Sequence, residues 1–404
     1  MALKGGVARS PARCRSSGIE PMMLLKRCNR RALVALAAVL LLAACGGARE
    51  LPDLSDVGDG VATETLWTAS TGSGSASSAY ALVPAVEGGR VYAADSNGRV
   101  TAWDAESGER LWRVDTGREL AAGPGAGGGL VLVGARDGRL LALDAENGEE
   151  RWVSGLSSEI LAVPQIARNI VVARSGDGRV YGLDGLTGRR LWIHDRSVPV
   201  LTLRGSSSPV VVGNRVVVGQ DNGRLVTLNL QDGEVIWEAP VSIPRGRSDL
   251  ERMVDLHADP LVFRGVAYAQ AYQGELAAVG MGDGRERWSR DIPGHTGMAA
   301  DSRQLYVVDD QSRLWALDRN NGATVWRQDR LQGLRLTAPV VIGGHLVLAD
   351  EEGYLNWIAP DNGDLVGRDR HGRQPIQRPP VPDGDVLYLL SADGRLAALR
   401  LVED

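Results

Sequence analysis

The chain is poor in the residues that most site chemistry needs. Only three of its 404 residues are cysteine, Cys14, Cys28 and Cys45, so no disulfide framework of any density can be built from it. Its five histidines, His194, His257, His295, His345 and His371, form no closely spaced metal pair, and none stands beside a convincing serine or cysteine nucleophile motif. Phenylalanine occurs once, at Phe263. There is no long amphipathic helical pattern and no apolar run long enough to cross a membrane. The Gly-rich stretch Gly123–Gly129 lacks the Lys-Ser/Thr and the following helix of a phosphate loop, and reads as a sheet-edge turn. The acid pairs Asp309-Asp310 and Glu351-Glu352 read as solvated turn residues, with a bound calcium ion as the competing reading. No catalytic, cofactor or metal constellation emerges.

What the chain has instead is one recurring interval. Pro84 is followed 28 residues later by Trp112, and the same spacing joins Pro124 to Trp152, Pro164 to Trp192, Pro209 to Trp237 and Pro260 to Trp288. Met298 to Trp326 is a sixth copy, and Pro339 to Gly367 a seventh with Gly in the Trp place. Within each unit short apolar runs alternate with Gly, Asn and Asp clusters, as in Val91–Ala94, a turn at Ser96-Asn97-Gly98, and Val100–Trp103. A glycine falls 14 residues after most unit starts (Ser312 in the sixth copy), and another precedes most of the Trp residues by four. Four short antiparallel strands per unit make the blade of an all-β propeller. The Trp residues then recur at one place per blade and are expected to pack between neighbouring blades. An eighth unit starts near Pro380, but its Trp would fall beyond Asp404. The segment Glu64-Thr-Leu-Trp67-Thr has a Trp and no blade of its own, so it is expected to complete the last blade. The expectation is eight blades over 61–404, with seven as the competing count.

The N-terminus carries an address. Lys26, Arg27, Arg30 and Arg31 precede an apolar run, Ala32–Ala44, which suits a signal-peptide core. Leu42-Ala43-Ala44-Cys45 resembles a bacterial lipobox, which implies cleavage before Cys45, its lipidation, and a signal peptide over 1–44 with Met22 or Met23 as an alternative start. Gly46 in place of Asp after the Cys implies, by the same resemblance, transport to the outer membrane. Cys45 is then the sole cysteine of the mature chain and is capped. Removing the eight basic residues and the single acid, Glu20, that precede it leaves 37 basic and 49 acidic residues, a net of −12, which argues against nucleic acid as a partner. Residues 45–60 read as a lipidated flexible tether.

Extra length can lie only between units. Trp112 to Pro124 and Trp152 to Pro164 each advance 12 positions, but Trp192 to Pro209 advances 17 and Trp237 to Pro260 advances 23. These two long connections flank one blade and should emerge on one face. In the first, Leu201 and Leu203 alternate around Thr202 and are followed by Arg204, a plausible anchor of apolar burial plus a forked donor. The competing reading packs both leucines down on the blade. In the second, Asp255 and Asp259 could pair with a basic partner or with Arg204.

The lipobox, the repeats and these two loops together resemble the BamB family, propeller lipoproteins of the β-barrel assembly machinery. Leu201-Thr-Leu203-Arg204-Gly205 matches that family's Leu-x-Leu-Arg-Gly loop, and Arg252-Met-Val-Asp255-Leu its Arg-Leu-x-Asp-Val segment. The resemblance implies a non-enzymatic scaffold on the periplasmic face of the outer membrane that binds the POTRA domains of the central barrel subunit through Leu201, Leu203, Arg204 and Asp255. Unfolded outer-membrane proteins at its sheet edges are a second class of partner. His257 stands where the family has a second acid, which alters the charge of the expected contact and makes it a candidate pH-sensitive contact residue. The alternative is a quinoprotein dehydrogenase, which the units around Asp104–Trp112 and Asp144–Trp152 also resemble. Those enzymes have an adjacent-cysteine ring over the quinone that this chain lacks. A structural link between outer membrane and cell wall is a third class.

Overall fold

The computed structural model describes residues 51–58, 60–195, 201–205 and 207–403. The expected signal peptide and Cys45 lie outside them. The described residues form eight blades and no helix: 85–115, 120–155, 165–194, 210–240, 261–290, 298–328, 340–370, and 381–403 joined by Val61–Ser70. Each blade carries four antiparallel strands, and the second gains a short parallel strand, Ala81–Leu82, beside Ala122 and Gly123. The Gly-rich stretch is therefore mostly strand, Leu120–Gly127, and turns only at Gly128 and Gly129.

One device repeats at the blade interfaces. In all eight blades the fourth strand slips register at the residue just before the Trp position. Such a bulge re-aims the side chain that follows it. The indole of each Trp then lies on the turn of the next blade. There it donates its Nε1–H to a backbone carbonyl at 2.8–3.1 Å, from Trp67, Trp112, Trp152, Trp192, Trp237, Trp288 and Trp326 in turn. In every case the acceptor lies three residues before a glycine over which the ring sits. Gly148 shows why that residue is required: its φ is 77°, and a Cβ there would lie 2.7 Å from the Trp112 ring. The glycine 14 residues into the unit is less strict. In the fifth blade the positive φ belongs to Gln273 and not to Gly274, and in the sixth to Ser312.

The ring closes as its ends suggest. Val61–Ser70 pairs with Arg395–Glu403, and Trp67 supplies the missing indole to the first blade. The seventh blade has Gly367 at the interface Trp position because the chain itself fills that place: a Cβ on Gly367 would lie 2.0 Å from the Val61 carbonyl oxygen. Asp369 ties this seam, accepting from Trp357 Nε1 at 2.8 Å and from the N–H and hydroxyl of Thr63. Part of the stretch expected as a tether packs on the ring. Leu54 is buried and packs with Val57 against Leu334, Leu336 and Trp326, and Asp56 pairs with Arg330.

Candidate partner-binding loops and the channel beneath them

The two long connections meet, and acids of the second hold backbone of the first. The Leu203 N–H donates to Asp255 Oδ1 at 3.1 Å, and the Ser208 N–H donates to Asp259 at 2.5 Å. Gly205 (φ 127°) lies so close to His257 that a Cβ would sit 2.3 Å from the ring. The pairing of Asp255 with Arg204 weighed from sequence does not occur. Arg204 reaches Glu159 instead, at 3.2 Å.

The five residues expected to bind a partner therefore divide. Leu201 is 43 % exposed and Arg204 is exposed, while Leu203 is half-buried. Asp255, at 2 % exposure, is covered, and His257 is half-buried below the loop. These last two support the loop from beneath.

Beneath the loop lies a buried ionic network that sequence reading missed. Arg174, 1 % exposed, donates to the carbonyls of Ser207 and Gly219 at 3.3 and 2.8 Å and pairs with Asp221 at 2.7 Å. It thus joins the third blade to the fourth and to the first long loop. Burial, and then the neighbouring Asp221 carboxylate, push the Asp255 carboxyl up to about 6, against the smaller pull of the Leu203 N–H and Arg174. Its Oδ2 has no hydrogen-bond partner. A carboxyl whose folded pKa is raised binds more protons folded than unfolded, so it favours the fold below the unfolded value and that contribution is lost as pH rises through about 6. Asp255→Asn is accordingly expected to raise stability at pH 8 by about 1–3 kcal/mol and to change little at pH 4, measured by urea unfolding at both pH values. Burial, then the Arg378 guanidinium, hold His257 down at about 4, so its ring is neutral near pH 7. The pH-sensitive group of this platform is Asp255 and not His257.

Residues just before the first strands of successive blades line a channel on the ring axis, in two adjoining chambers. Leu203 and Arg204 line the outer one, of about 490 Å³, so the candidate contact loop forms part of its rim. Among the described residues no group of three or more His, Cys, Asp or Glu side chains is placed to hold a metal ion.

A family model described as outer membrane protein assembly factor BamB matches residues 59–119 and 96–328. The chain is similar to the outer membrane protein assembly factor BamB of Pseudomonas aeruginosa, at 44 % identity over 372 residues that cover 92 % of this chain and 98 % of that protein. The crystal structure of BamB from Moraxella catarrhalis superposes with a TM-score of 0.78 at 24 % identity, covering 84 % of this chain and all of that one. Quinohemoprotein alcohol dehydrogenase from Comamonas testosteroni superposes with a TM-score of 0.65 at 15 % identity, over 84 % of this chain and 76 % of that one. Both superpositions show the propeller fold alone. The dehydrogenase alternative thus gains a shared scaffold and no shared site, whereas the relatives by sequence are named as outer membrane protein assembly factors. This chain is a non-catalytic propeller and belongs to the family of the outer membrane protein assembly factor BamB.

Proposed function

We propose that this chain is a scaffold for outer-membrane protein assembly, held at the periplasmic face of the outer membrane by a lipid on Cys45, and that it grips the POTRA domains of the central barrel subunit with the loop around Leu201–Arg204. One observation carries the reading. Leu201 and Arg204 stand exposed on a loop whose intervening residue, Leu203, is clamped by a buried carboxylate. A clamped loop has less conformational freedom to lose on binding, so an apolar anchor beside a guanidinium can act as the centre of an interface. Asp255 and His257 enter as supports of the loop.

Leu201→Arg and Arg204→Ala are each expected to reduce co-purification of the barrel subunit by about 10-fold or more, with thermal unfolding unchanged because both side chains are exposed. Undiminished co-purification by the double variant would overturn the assignment of this loop.

A further inference from the structure

The inner chamber of the channel, about 390 Å³, is of a size common to small-molecule sites. Its wall is largely apolar, with Val83, Val163, Met298 and a run of prolines, Pro379, Pro380 and Pro382. Its neck, where it meets the outer chamber, is formed by His257, His295 and Arg378, which border both spaces. The two imidazoles stand 6.4 Å apart between ring centroids.

Two opposite charges face this chamber without meeting. Arg378 donates its Nε and one terminal nitrogen to the carbonyls of Ser78 and Tyr80, at 2.8–3.1 Å. Asp259 is held by the Ser208 N–H. No ion pair joins them, although each feels the other: Arg378 draws the Asp259 carboxyl down and Asp259 draws the guanidinium up. Burial outweighs both effects, raising Asp259 and lowering Arg378. By surface area Asp259 is nonetheless exposed, its carboxyl opening on the cavity. A fold under no other demand would bring these two together, since Arg and carboxylate form the strongest of side-chain pairs. Held apart on backbone groups, they leave one cationic and one anionic contact open to a third body.

We propose that the inner chamber binds a small zwitterion of the α-amino-acid type, with its carboxylate on Arg378, its ammonium on Asp259 and an apolar side group against the proline and valine wall. His257 and His295 supply neutral hydrogen-bonding groups at the neck. Leu201 and Arg204 do not line this chamber, although Gly205 and Ser208 of the same connection do.

The test is calorimetric titration of the full chain, purified in detergent, with L-leucine, N-acetyl-L-leucine and L-leucinamide. Leucine is expected to bind, and each blocked analogue to bind at least about 10-fold more weakly. Asp259→Asn keeps an oxygen for the Ser208 N–H and is expected to weaken leucine about 10-fold while leaving N-acetyl-leucine unchanged. Arg378→Gln is expected to weaken leucine and leave leucinamide unchanged. Absence of any heat or melting shift with leucine up to about 20 mM overturns the proposal, and so does equal binding of the three probes. Should Arg378→Gln fail to fold, the probes on the unaltered chain and the Asp259→Asn variant decide the matter.

Discussion

Restoring the repeat's own tryptophan at position 367 is expected to destabilise the ring more than removing any one of the tryptophans it has. Gly367 occupies the Trp place of the seventh blade, so a repeat-based design would put Trp there. The Val61 backbone already fills that space, with its carbonyl oxygen 2.0 Å from where the first side-chain carbon would go. Backbone cannot rotate aside as a side-chain tip can. An indole at 367 must push Val61–Thr63 out, exposing the buried Val61 and breaking the bonds from Thr63 to Asp369. It must also strip pairing from the strand that closes the ring. We expect Trp152→Ala, which leaves a cavity and an unmet carbonyl at an ordinary interface, to cost about 3–5 kcal/mol. Gly367→Trp should exceed that, and Gly367→Ala should already cost about 2–4 kcal/mol. Urea unfolding by circular dichroism ranks the three, and proteolysis within 61–70 should accelerate only in the variants at 367. A Gly367→Trp protein with an unchanged unfolding midpoint would refute this account of ring closure.

The same contrast explains what could be read from sequence. Interfaces built from one device force one spacing on every copy, so the period, the number of blades and the place of Trp67 were all legible. Deviations from the device were visible only as gaps. Gly367 announced that an indole was missing, but the substitute comes from more than 300 residues away (Thr63 meets Asp369 at a separation of 306). The loops carry no periodicity to orient a side chain, so sequence charge alone placed Asp255 at the surface. Its inward direction follows from the Leu203 N–H, 52 residues distant. Leu54 and Val57 were two apolar residues in a polar stretch, too sparse to signal docking. Arg174 did leave a signal. Ten residues into their units the other blades have Ala94, Gly134, Gly219, Gln270, Val308, Ala349 and Leu390, and this blade alone has a charge. Gln270, the other polar member, bridges to the Val308 carbonyl of the next blade much as Arg174 bridges to that of Gly219. A polar residue at that position marks a cross-blade tie.

Removing the Arg174 tie is the second large effect expected. Arg174→Met preserves much of the side-chain volume but leaves Asp221 without its cation and the carbonyls of Ser207 and Gly219 without a donor. Taking one partner from a buried pair typically costs about 3–5 kcal/mol, and that is the deficit we expect at pH 8. Asp255 then sets its pH dependence. Arg174 lowers the Asp255 pKa and Asp221 raises it, so the variant keeps only the repulsive neighbour and its carboxyl titrates above the wild-type value of about 6. Protonation of Asp255 relieves the clash of two carboxylates, and a raised folded pKa favours the fold as pH falls. The deficit against wild type should therefore shrink to roughly half between pH 8 and pH 5. Adding Asp255→Asn to Arg174→Met should recover a similar amount at pH 8 and none at pH 5, a coupling that a double-mutant cycle isolates. The loop that Arg174 holds through Ser207 is the loop that presents Leu201 and Arg204. The variant should thus also lose co-purification of the barrel subunit at pH 8, although Arg174 is 1 % exposed and touches no partner itself. A deficit that grows on acidification would show that Arg174 stabilises the platform by some means other than balancing these two acids.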